Sequence, residues 1–207
     1  MPRIATLAHT RHGASYTAGV TSGTPGRPRS EPARRAVLEA VDDMLVEVGY
    51  AAMTMKGIAE RAGVGRQTVY RWWSTKAEIL LEACVQDIHE EVTAPPQDDP
   101  AADLLAYLTA LTEFLTVSPA GLAFRALIGE AQHDPAVRDL VNRADLLTAS
   151  ARDVLERVRA AAPGMPAASL STAQLTGPVV SQILTAPAAL PPELLREHVA
   201  ALLRAWQ

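Results

Sequence analysis

The chain has 207 residues, 48% of them hydrophobic, which is enough for one or two domains with a buried core. Its single cysteine, Cys84, excludes an internal disulfide, and no apolar run has the length of a membrane span or the setting of a secretory signal. Residues 1–76 carry eleven basic and six acidic side chains, whereas residues 77–207 carry eight basic and seventeen acidic ones. We therefore expect a cytoplasmic protein in which only the front part meets a polyanion.

The first 30 residues predict a disordered basic arm. They are rich in Gly, Ser, Thr, Pro and Arg, contain no acidic residue and show no hydrophobic periodicity. The arm ends in "GRPRS", in which Arg27 and Arg29 flank a proline. Such a segment is able to lie in a DNA minor groove beside a major-groove helix, and a solvated tail is the equal alternative.

Four helices are predicted in the front part. The first carries an apolar stripe that ends at Gly49, and Thr54 then provides a good N-cap for the second. The stripe consists of Val37, Val41, Met44, Leu45 and Val48. The predicted bounds are Met55 to Ala62 for the second helix, about Arg66 to Trp73 for the third, and a start after Ser74 or Thr75 for the fourth.

Five further helices are predicted after the break at "TAPPQDDP", Thr93 to Pro100. The seventh is a single long helix that begins at Asp134-Pro135, a cap followed by a proline, and carries an apolar stripe to Val158. The others lie around Leu104 to Leu115, Pro119 to Gln132, Leu170 to Thr185, and Pro191 to Trp206. No strand pattern competes, so the predicted fold class is all-α.

The stretch "AERAGVGRQTVYRWWSTK", Ala59 to Lys76, has the pattern of a helix-turn-helix. Ala59 is small where the next helix crosses over it, and Gly63 stands where the turn needs a positive φ. The polar residues of the third helix then face outward, where Arg suits guanine edges and Gln suits adenine edges of DNA. These outward residues are Arg66, Gln67, Thr68, Tyr70 and Arg71. A helical hairpin with a solvated polar face is the alternative.

The pattern "IAERAGVGRQTVYRWWSTKAEIL", Ile58 to Leu80, resembles the TetR family of transcriptional regulators almost throughout. The resemblance implies a three-helix DNA-binding domain over residues 31–76 and a helical regulatory and dimerisation domain over residues 77–207, including the linking fourth helix. It also implies phosphate contacts by Thr54, Tyr70 and Lys76. The family commonly has Ser or Thr at the position of Gly65, so we expect no side-chain contact there, although glycine keeps the helix cap.

The rear domain resembles the family only in its plan, which implies a ligand chamber in helices five to seven and a dimer interface on helices eight and nine. Small-molecule sites need apolar walls with a few polar groups, and the predicted ligand-binding residues are Tyr107, Phe114, Phe124, Gln132 and His133. The predicted interface residues are Val179, Val180, Ile183, Leu195, Val199 and Leu202. Ordinary core or surface positions are the alternative for both sets.

The favoured function is a ligand-responsive repressor that binds a pseudo-palindromic operator as a homodimer. A DNA-binding regulator or activator without small-molecule control is the next hypothesis. An enzyme or a helical interaction protein is a more distant alternative, because the sequence has no Gly-rich phosphate loop, HExxH, Gly-x-Ser-x-Gly or Cys-x-x-Cys. The expected partners are double-stranded DNA, a second copy of the chain and a small-molecule effector, with no membrane, metal ion or cofactor.

Overall fold

The computed structural model describes residues 31–186 and 190–207, and all regular secondary structure in these residues is helical. The all-α fold class is therefore confirmed, while the predicted basic arm with Arg27 and Arg29 lies outside the described residues. The helices are α1 Glu31–Ala52, α2 Met55–Arg61, α3 Arg66–Tyr70, α4 Lys76–Glu91, α5 Pro100–Val117, α6 Pro119–Glu130, α7 Pro135–Ala144, α8 Leu146–Arg159, α9 Ala168–Thr185 and α10 Pro192–Ala205.

The end of α1 and the starts of α2 and α4 follow the sequence signals. Gly49 leaves the helical path of α1 with φ 74° and ψ 163°. The hydroxyl oxygen of Thr54 accepts a hydrogen bond from the Gly57 N–H at 3.0 Å, and that of Thr75 accepts one from the Glu78 N–H at 3.3 Å. Thr54 is therefore the N-cap of α2, as predicted, and of the two candidates Ser74 and Thr75 the second caps α4.

Helix α3 is shorter than predicted, because it ends at Tyr70 and not at Trp73. The N–H groups of Trp72 and Trp73 both bond to the carbonyl of Val69, each at 3.0 Å, so the chain tightens into a turn at this point. Trp73 is then buried, with 3% of its surface exposed. The turn thus places an aromatic anchor directly behind the exposed face of α3.

The prediction of one long seventh helix is wrong, because the chain forms two helices, α7 and α8, over this stretch. Asp145 separates them in a left-handed conformation with φ 44° and ψ 45°, which aspartate adopts more readily than most residues. Its N–H still bonds to the carbonyl of Val141 at 3.1 Å. The break redirects α8 so that it packs against α5 and α9.

Helices α5 and α6 meet at a close backbone approach. A Cβ atom on Gly121 would lie 1.8 Å from the carbonyl oxygen of Phe114, so only glycine fits at this position. The two helices are bent against each other by 81°. Among the described residues no single helix is long and apolar enough to cross a bilayer, although this bent pair passes that test by length and composition.

Helix α9 continues through Gly177 and Pro178, so the proline lies inside the helix. The ring of His198 on α10 bonds to the carbonyl of Leu175 on α9 at 2.9 Å, and the indole N–H of Trp206 donates to the Gln174 side chain at 2.8 Å. Trp206 is 1% exposed. These contacts fix the last helix against the rest of the chain, and one continuous core joins the front helices to the rear ones.

Candidate DNA-binding site

Helices α2 and α3 pack as the sequence pattern requires. Ile58, Ala59 and Val69 are at most 1% exposed, so the two helices contact each other through small and branched side chains. Gly63 adopts φ 65° in the turn, and the N–H of Val64 bonds to the carbonyl of Ala59 at 3.0 Å. The turn is therefore closed by backbone bonds, and the outer face of α3 is presented to solvent.

The outer face of α3 carries the polar residues predicted to meet DNA. Arg66 and Gln67 are exposed, as is Arg71 directly after the helix, and Tyr70 is 56% exposed. Thr68 is half-buried, so less of its side chain is on this face than predicted. Within the described part of the chain the side chains of Arg66 and Gln67 form no hydrogen bond or ion pair, which leaves their donors for another molecule.

The starts of α2 and α3 are capped in different ways. Gly65 caps α3 without a side-chain bond, as its lack of a hydroxyl predicts, and its carbonyl accepts from the Thr68 N–H at 2.8 Å. Thr54 is exposed at the start of α2, where its hydroxyl oxygen accepts a hydrogen bond and its own proton has no acceptor among residues 31–186 and 190–207. That proton is suited to a phosphate oxygen, as are the N–H groups of a helix start.

Lys76 has a structural role that the sequence did not indicate. Its ammonium group donates to the carbonyls of Tyr50 at 2.8 Å and Met53 at 3.1 Å, and it lies 4.0 Å from the centroid of the Tyr50 ring. Two of its three protons are therefore used inside the chain. The first residue of α4 is in this way fixed to the end of α1 and to the residue that follows it.

A second connection joins α1 and α4 further along α4, at Glu82. The indole N–H of Trp73 donates to Glu82 Oε2 at 2.9 Å, and Arg34 Nη2 lies 2.5 Å from Glu82 Oε1. Arg34 also lies 5.4 Å from the ring centroid of Trp72. Together with Lys76, these residues hold three parts of the chain in a fixed arrangement: α1, the turn after α3, and α4.

Arg61 at the end of α2 is directed away from a DNA-contacting role. Its guanidinium lies 2.6 Å from Glu47 Oε1 and 3.2 Å from Asp43 Oδ2 on α1. The hydrogen bond from Arg61 lowers the pKa of Glu47 below its ordinary value. Arg61 is therefore paired with α1, whereas Arg66 on α3 and Arg71 directly after it are exposed.

The comparison with known sequences agrees with this geometry. A family described as "Bacterial regulatory proteins, tetR family" matches residues 37–83, which span α1 to α4. A second, described as "Tetracyclin repressor-like, C-terminal domain", matches residues 94–202, more than half of the chain. The chain belongs to the TetR family.

Several relatives of this TetR-family chain are named transcriptional regulators. It is 38% identical over 109 residues to the uncharacterized HTH-type transcriptional regulator YdeS of Bacillus subtilis, a match that covers 53% of this chain and 54% of YdeS. It is 29% identical over 118 residues to the DNA-binding transcriptional repressor TetR of Mycobacteroides abscessus, covering 56% of this chain and 60% of that protein. The matches thus span about half the length of these curated relatives.

Solved structures share the fold over most of the chain. The TetR family transcription regulator SCO0332 has 27% sequence identity and a TM-score of 0.65, and the match covers 84% of this chain and 97% of SCO0332. NalD, described as the secondary repressor of the MexAB-OprM multidrug efflux pump in Pseudomonas aeruginosa, has 22% identity and a TM-score of 0.54, with 85% and 98% covered. At that identity NalD shows the fold alone.

The C-terminal part of this TetR-family chain contains a cavity of about 270 Å³ between the end of α4, α5 and α8. Its lining combines apolar and polar side chains, as small-molecule sites do. The lining residues are Ile88, His89, Val92, Thr93, Ala94, Tyr107, Ala149, Ser150, Arg152, Asp153, Val154 and Arg157.

The five predicted ligand-binding residues do not come together at one site. Tyr107 lines the cavity, where burial raises the pKa of its phenol to about 12. Phe124 is 3% exposed in the core, and Phe114 lines a separate recess at the end of α5. Gln132 and His133 are exposed in the turn after α6, because α6 ends at Glu130, before them.

The predicted interface residues also need correction, because most of them face inward. Five are buried in the single chain, and Val180 is half-buried. The five are Val179, Ile183, Leu195, Val199 and Leu202. They close the domain's own core, which was the alternative. The exposed large apolar residues of α9 and α10 are instead Leu170, Leu184 and Leu194, with 52%, 41% and 44% exposed.

Sequence reasoning missed several residues that organise these sites. Nothing in the pattern distinguished Tyr50, whose ring and carbonyl hold Lys76, from an ordinary helix-end aromatic. Ser150 and Arg157 lie outside the predicted apolar stripe of helix seven, and the sequence analysis predicted no role for them. The i, i+7 spacing of Ser150 and Arg157 places them on one helix face, which was the available signal.

Proposed function

We propose that this chain is a ligand-responsive repressor that binds a pseudo-palindromic operator as a homodimer. The observation that carries the proposal is a mechanical connection through α4. At its start Lys76 bonds to the carbonyls of Tyr50 and Met53 beside the helix-turn-helix. At its other end Ile88, His89 and Val92 line the cavity. A molecule in the cavity thus acts on the helix that holds the DNA-reading unit.

The exposed face of α3 supplies sequence reading. The guanidinium groups of Arg66 and Arg71 suit the guanine O6 and N7 acceptors, and the amide of Gln67 suits adenine N6 and N7. Tyr70 and Thr54 provide hydroxyl protons at the edges of this face, where phosphate oxygens of the backbone lie. The base-reading and phosphate-binding groups are therefore separate sets of side chains.

Two copies of the chain are expected because α3 has five residues and reads few base pairs alone. Two recognition helices in successive major grooves on one side of B-DNA stand about 34–36 Å apart, which makes the operator pseudo-palindromic. Helices α9 and α10 are the proposed interface. Their exposed leucines, Leu170, Leu184 and Leu194, provide apolar surface for it.

The effector controls DNA binding because the affinity for the ligand and the affinity for the operator are thermodynamically linked. A ligand that prefers the arrangement in which the recognition helices are misplaced weakens operator affinity, and the operator weakens ligand affinity by the same factor. A coupling of about 1–3 kcal/mol is typical of allosteric proteins in general. A ligand with equal affinity for both states is not an inducer, however tightly it binds.

The test starts with operator selection from random duplex DNA by the full chain. We expect an enriched inverted repeat that is retarded as a dimer complex in gel shifts and that is also found upstream of the chain's own gene. A variant with Arg66→Ala and Gln67→Ala is the matched control and should lose the enriched sequence while remaining folded. If no sequence is enriched, the chain is an interaction protein or an enzyme, and the proposal is wrong.

Ligand control and the direction of regulation are tested on the selected operator. A promoter reporter should be less active with the chain present and recover when a small molecule releases the DNA. Activation of the reporter would identify an activator. Repression that no compound relieves would favour the regulator without small-molecule control.

A further inference from the structure

The cavity at the end of α4 has the size and mixed lining of a site for a small ligand. Its volume of about 270 Å³ is just below the range of roughly 300–1,000 Å³ typical of ligand sites. Val92 and Val154 supply apolar wall, and Tyr107 supplies an aromatic one. The polar groups between these walls determine which chemical class fits.

Arg157 is held in one orientation by a buried carboxylate. Its Nε and Nη2 atoms donate to Asp103 Oδ1 at 3.1 and 3.0 Å, and the Gln97 N–H donates to the same oxygen at 3.1 Å. Asp103 is 6% exposed. The side edge of the guanidinium is therefore occupied and its rotation is restricted.

The other edge of the same guanidinium remains available. Its Nη1 protons and the second proton of Nη2 have no partner in the described part of the chain, and Arg157 lines the cavity. Two parallel N–H groups at the end of a guanidinium match the two oxygens of a carboxylate. Arg157 therefore presents a preoriented carboxylate fork.

The remaining polar lining favours an anion over a cation. Arg152 and His89 also line the cavity and make no side-chain bond to the described residues, whereas Asp153 is the single carboxylate of the lining. Ser150 donates to the Leu147 carbonyl at 3.0 Å, so the Tyr107 hydroxyl, 2.9 Å from Ser150 Oγ, is the donor of that pair. Unused donors thus outnumber the acidic groups.

We propose that this cavity binds a small carboxylic acid in its ionised form. The end edge of Arg157 holds both carboxylate oxygens, and the apolar body of the ligand lies against Tyr107, Val92 and Val154. This assignment rests on the proposed function, because it names the effector class of a ligand-responsive regulator. A purely structural role of the Arg157–Asp103 pair would use the side edge of the guanidinium alone.

The experiment uses calorimetry on the full chain with five acids, each paired with its primary amide as a neutral match. The probes are benzoate, phenylacetate, 3-phenylpropanoate, hexanoate and octanoate. Arg157→Lys keeps the charge beside Asp103 but removes the fork. Arg159→Lys is the matched control at an exposed position of the same helix. Arg152→Gln, also exposed, leaves the bridge to Asp103 intact and covers the case in which Arg157→Lys fails to fold.

We expect at least one acid to bind once per chain, with its amide and the Arg157→Lys variant each weaker by about tenfold or more. Arg159→Lys should bind like the parent chain, and Arg152→Gln should bind more weakly. Binding of none of the acids, equal binding of acid and amide, or unchanged binding by both Arg157→Lys and Arg152→Gln would overturn the carboxylate site.

Operator release separates this inference from the proposed function. A neutral compound that releases the operator equally from the parent chain and from Arg157→Lys overturns the carboxylate class and leaves the ligand-responsive repressor intact. An acid that binds through Arg157 without changing operator affinity supports the site and counts against ligand control.

Discussion

At the scale of single residues, Lys76 shows how a motif position takes part in the fold. Its ammonium group bonds to two backbone carbonyls, those of Tyr50 and Met53. Lys76→Met should therefore lower the free energy of unfolding by roughly 1–3 kcal/mol, because both acceptors lose a charged donor. Urea unfolding measures this change.

Lys56→Met is the control for Lys76, since Lys56 makes an exposed ion pair with Glu60 at 3.5 Å. It should change the free energy of unfolding by less than about 0.5 kcal/mol. If Lys76→Met leaves stability unchanged and lowers the salt slope of DNA binding by about one, Lys76 is a phosphate contact and the structural role is wrong.

The exposed residues of α3 should separate into two classes when each is replaced. At least one of Arg66→Ala, Gln67→Ala and Arg71→Ala should relax the base preference at one operator position, at a cost of roughly 1–3 kcal/mol. Tyr70→Phe should weaken binding to the selected operator and to random DNA equally, because a phosphate contact carries no sequence information. Competition binding on single-position operator variants measures both effects. Uniform weakening by all four would show that base reading lies elsewhere.

Asp42 on α1 should make stability depend on pH. Burial, followed by the nearby charges of Asp87, Asp43 and Glu39, raises its pKa from 3.8 to about 6. Because the raised pKa belongs to the folded chain, folding favours protonated Asp42, and stability falls as pH rises from about 4 to about 6. With solvent screening allowed for, Asp42→Asn should be more stable than the parent by about 1 kcal/mol at pH 7.

The Asp42 effect is checked by urea unfolding at pH 4 and pH 7. Parent and Asp42→Asn should be nearly equal at the lower pH and differ at the higher one. Asp139→Asn, at an exposed position on α7, should track the parent at both. A constant offset between parent and Asp42→Asn would contradict a titrating carboxyl.

At the scale of helices, the sequence predicted features that depend on one residue and its own turn. It missed features that depend on packing between distant segments. Thr54 and Thr75 act within their own turns, so the sequence indicated Thr54 as one cap and narrowed the other to Ser74 or Thr75. Asp145 breaks a stripe whose apolar spacing continues across it, and the break follows from how α8 packs on α5 and α9. Lys76 bonds to carbonyls more than twenty positions away, which no local pattern encodes.

Two glycines of α6 should respond oppositely to the same replacement. Gly121→Ala places a methyl group 1.8 Å from the Phe114 carbonyl, so α5 and α6 must separate. We expect a loss of roughly 1–3 kcal/mol in the free energy of unfolding. Gly129→Ala meets nothing within 4 Å and should stabilise by about 0.5–1 kcal/mol through helix propensity. Thermal and urea unfolding of the two variants measure these changes in the free energy of unfolding. A Gly121→Ala variant as stable as the parent chain would contradict the close approach of α5 and α6.

At the scale of the whole molecule, α4 connects the exposed face of α3, which is the reading surface, with the cavity at the other end of α4. The sequence predicted most residues of the reading surface but not the lining of the cavity. The reading surface is local: α2, the turn and α3 lie in one short segment, and its residue types follow from the motif. The cavity is assembled from α4, α5 and α8, so its lining depends on packing between distant segments. This explains why Tyr107 was identified and Arg157 was not.

The last prediction concerns assembly, and it changes which residues should break the dimer. Leu195 and Val199 are 4% and 2% exposed, so glutamates there should unfold the chain and not merely separate two copies. Leu184 and Leu194 are 41% and 44% exposed on α9 and α10, so Leu184→Glu with Leu194→Glu should give a folded monomer with much weaker operator binding. Sedimentation measures the mass of each variant, and circular dichroism measures its helicity. The exposed Val46 on α1 provides the control, since Val46→Glu should stay dimeric. A folded dimer of unchanged affinity in the double leucine variant would move the interface away from α9 and α10.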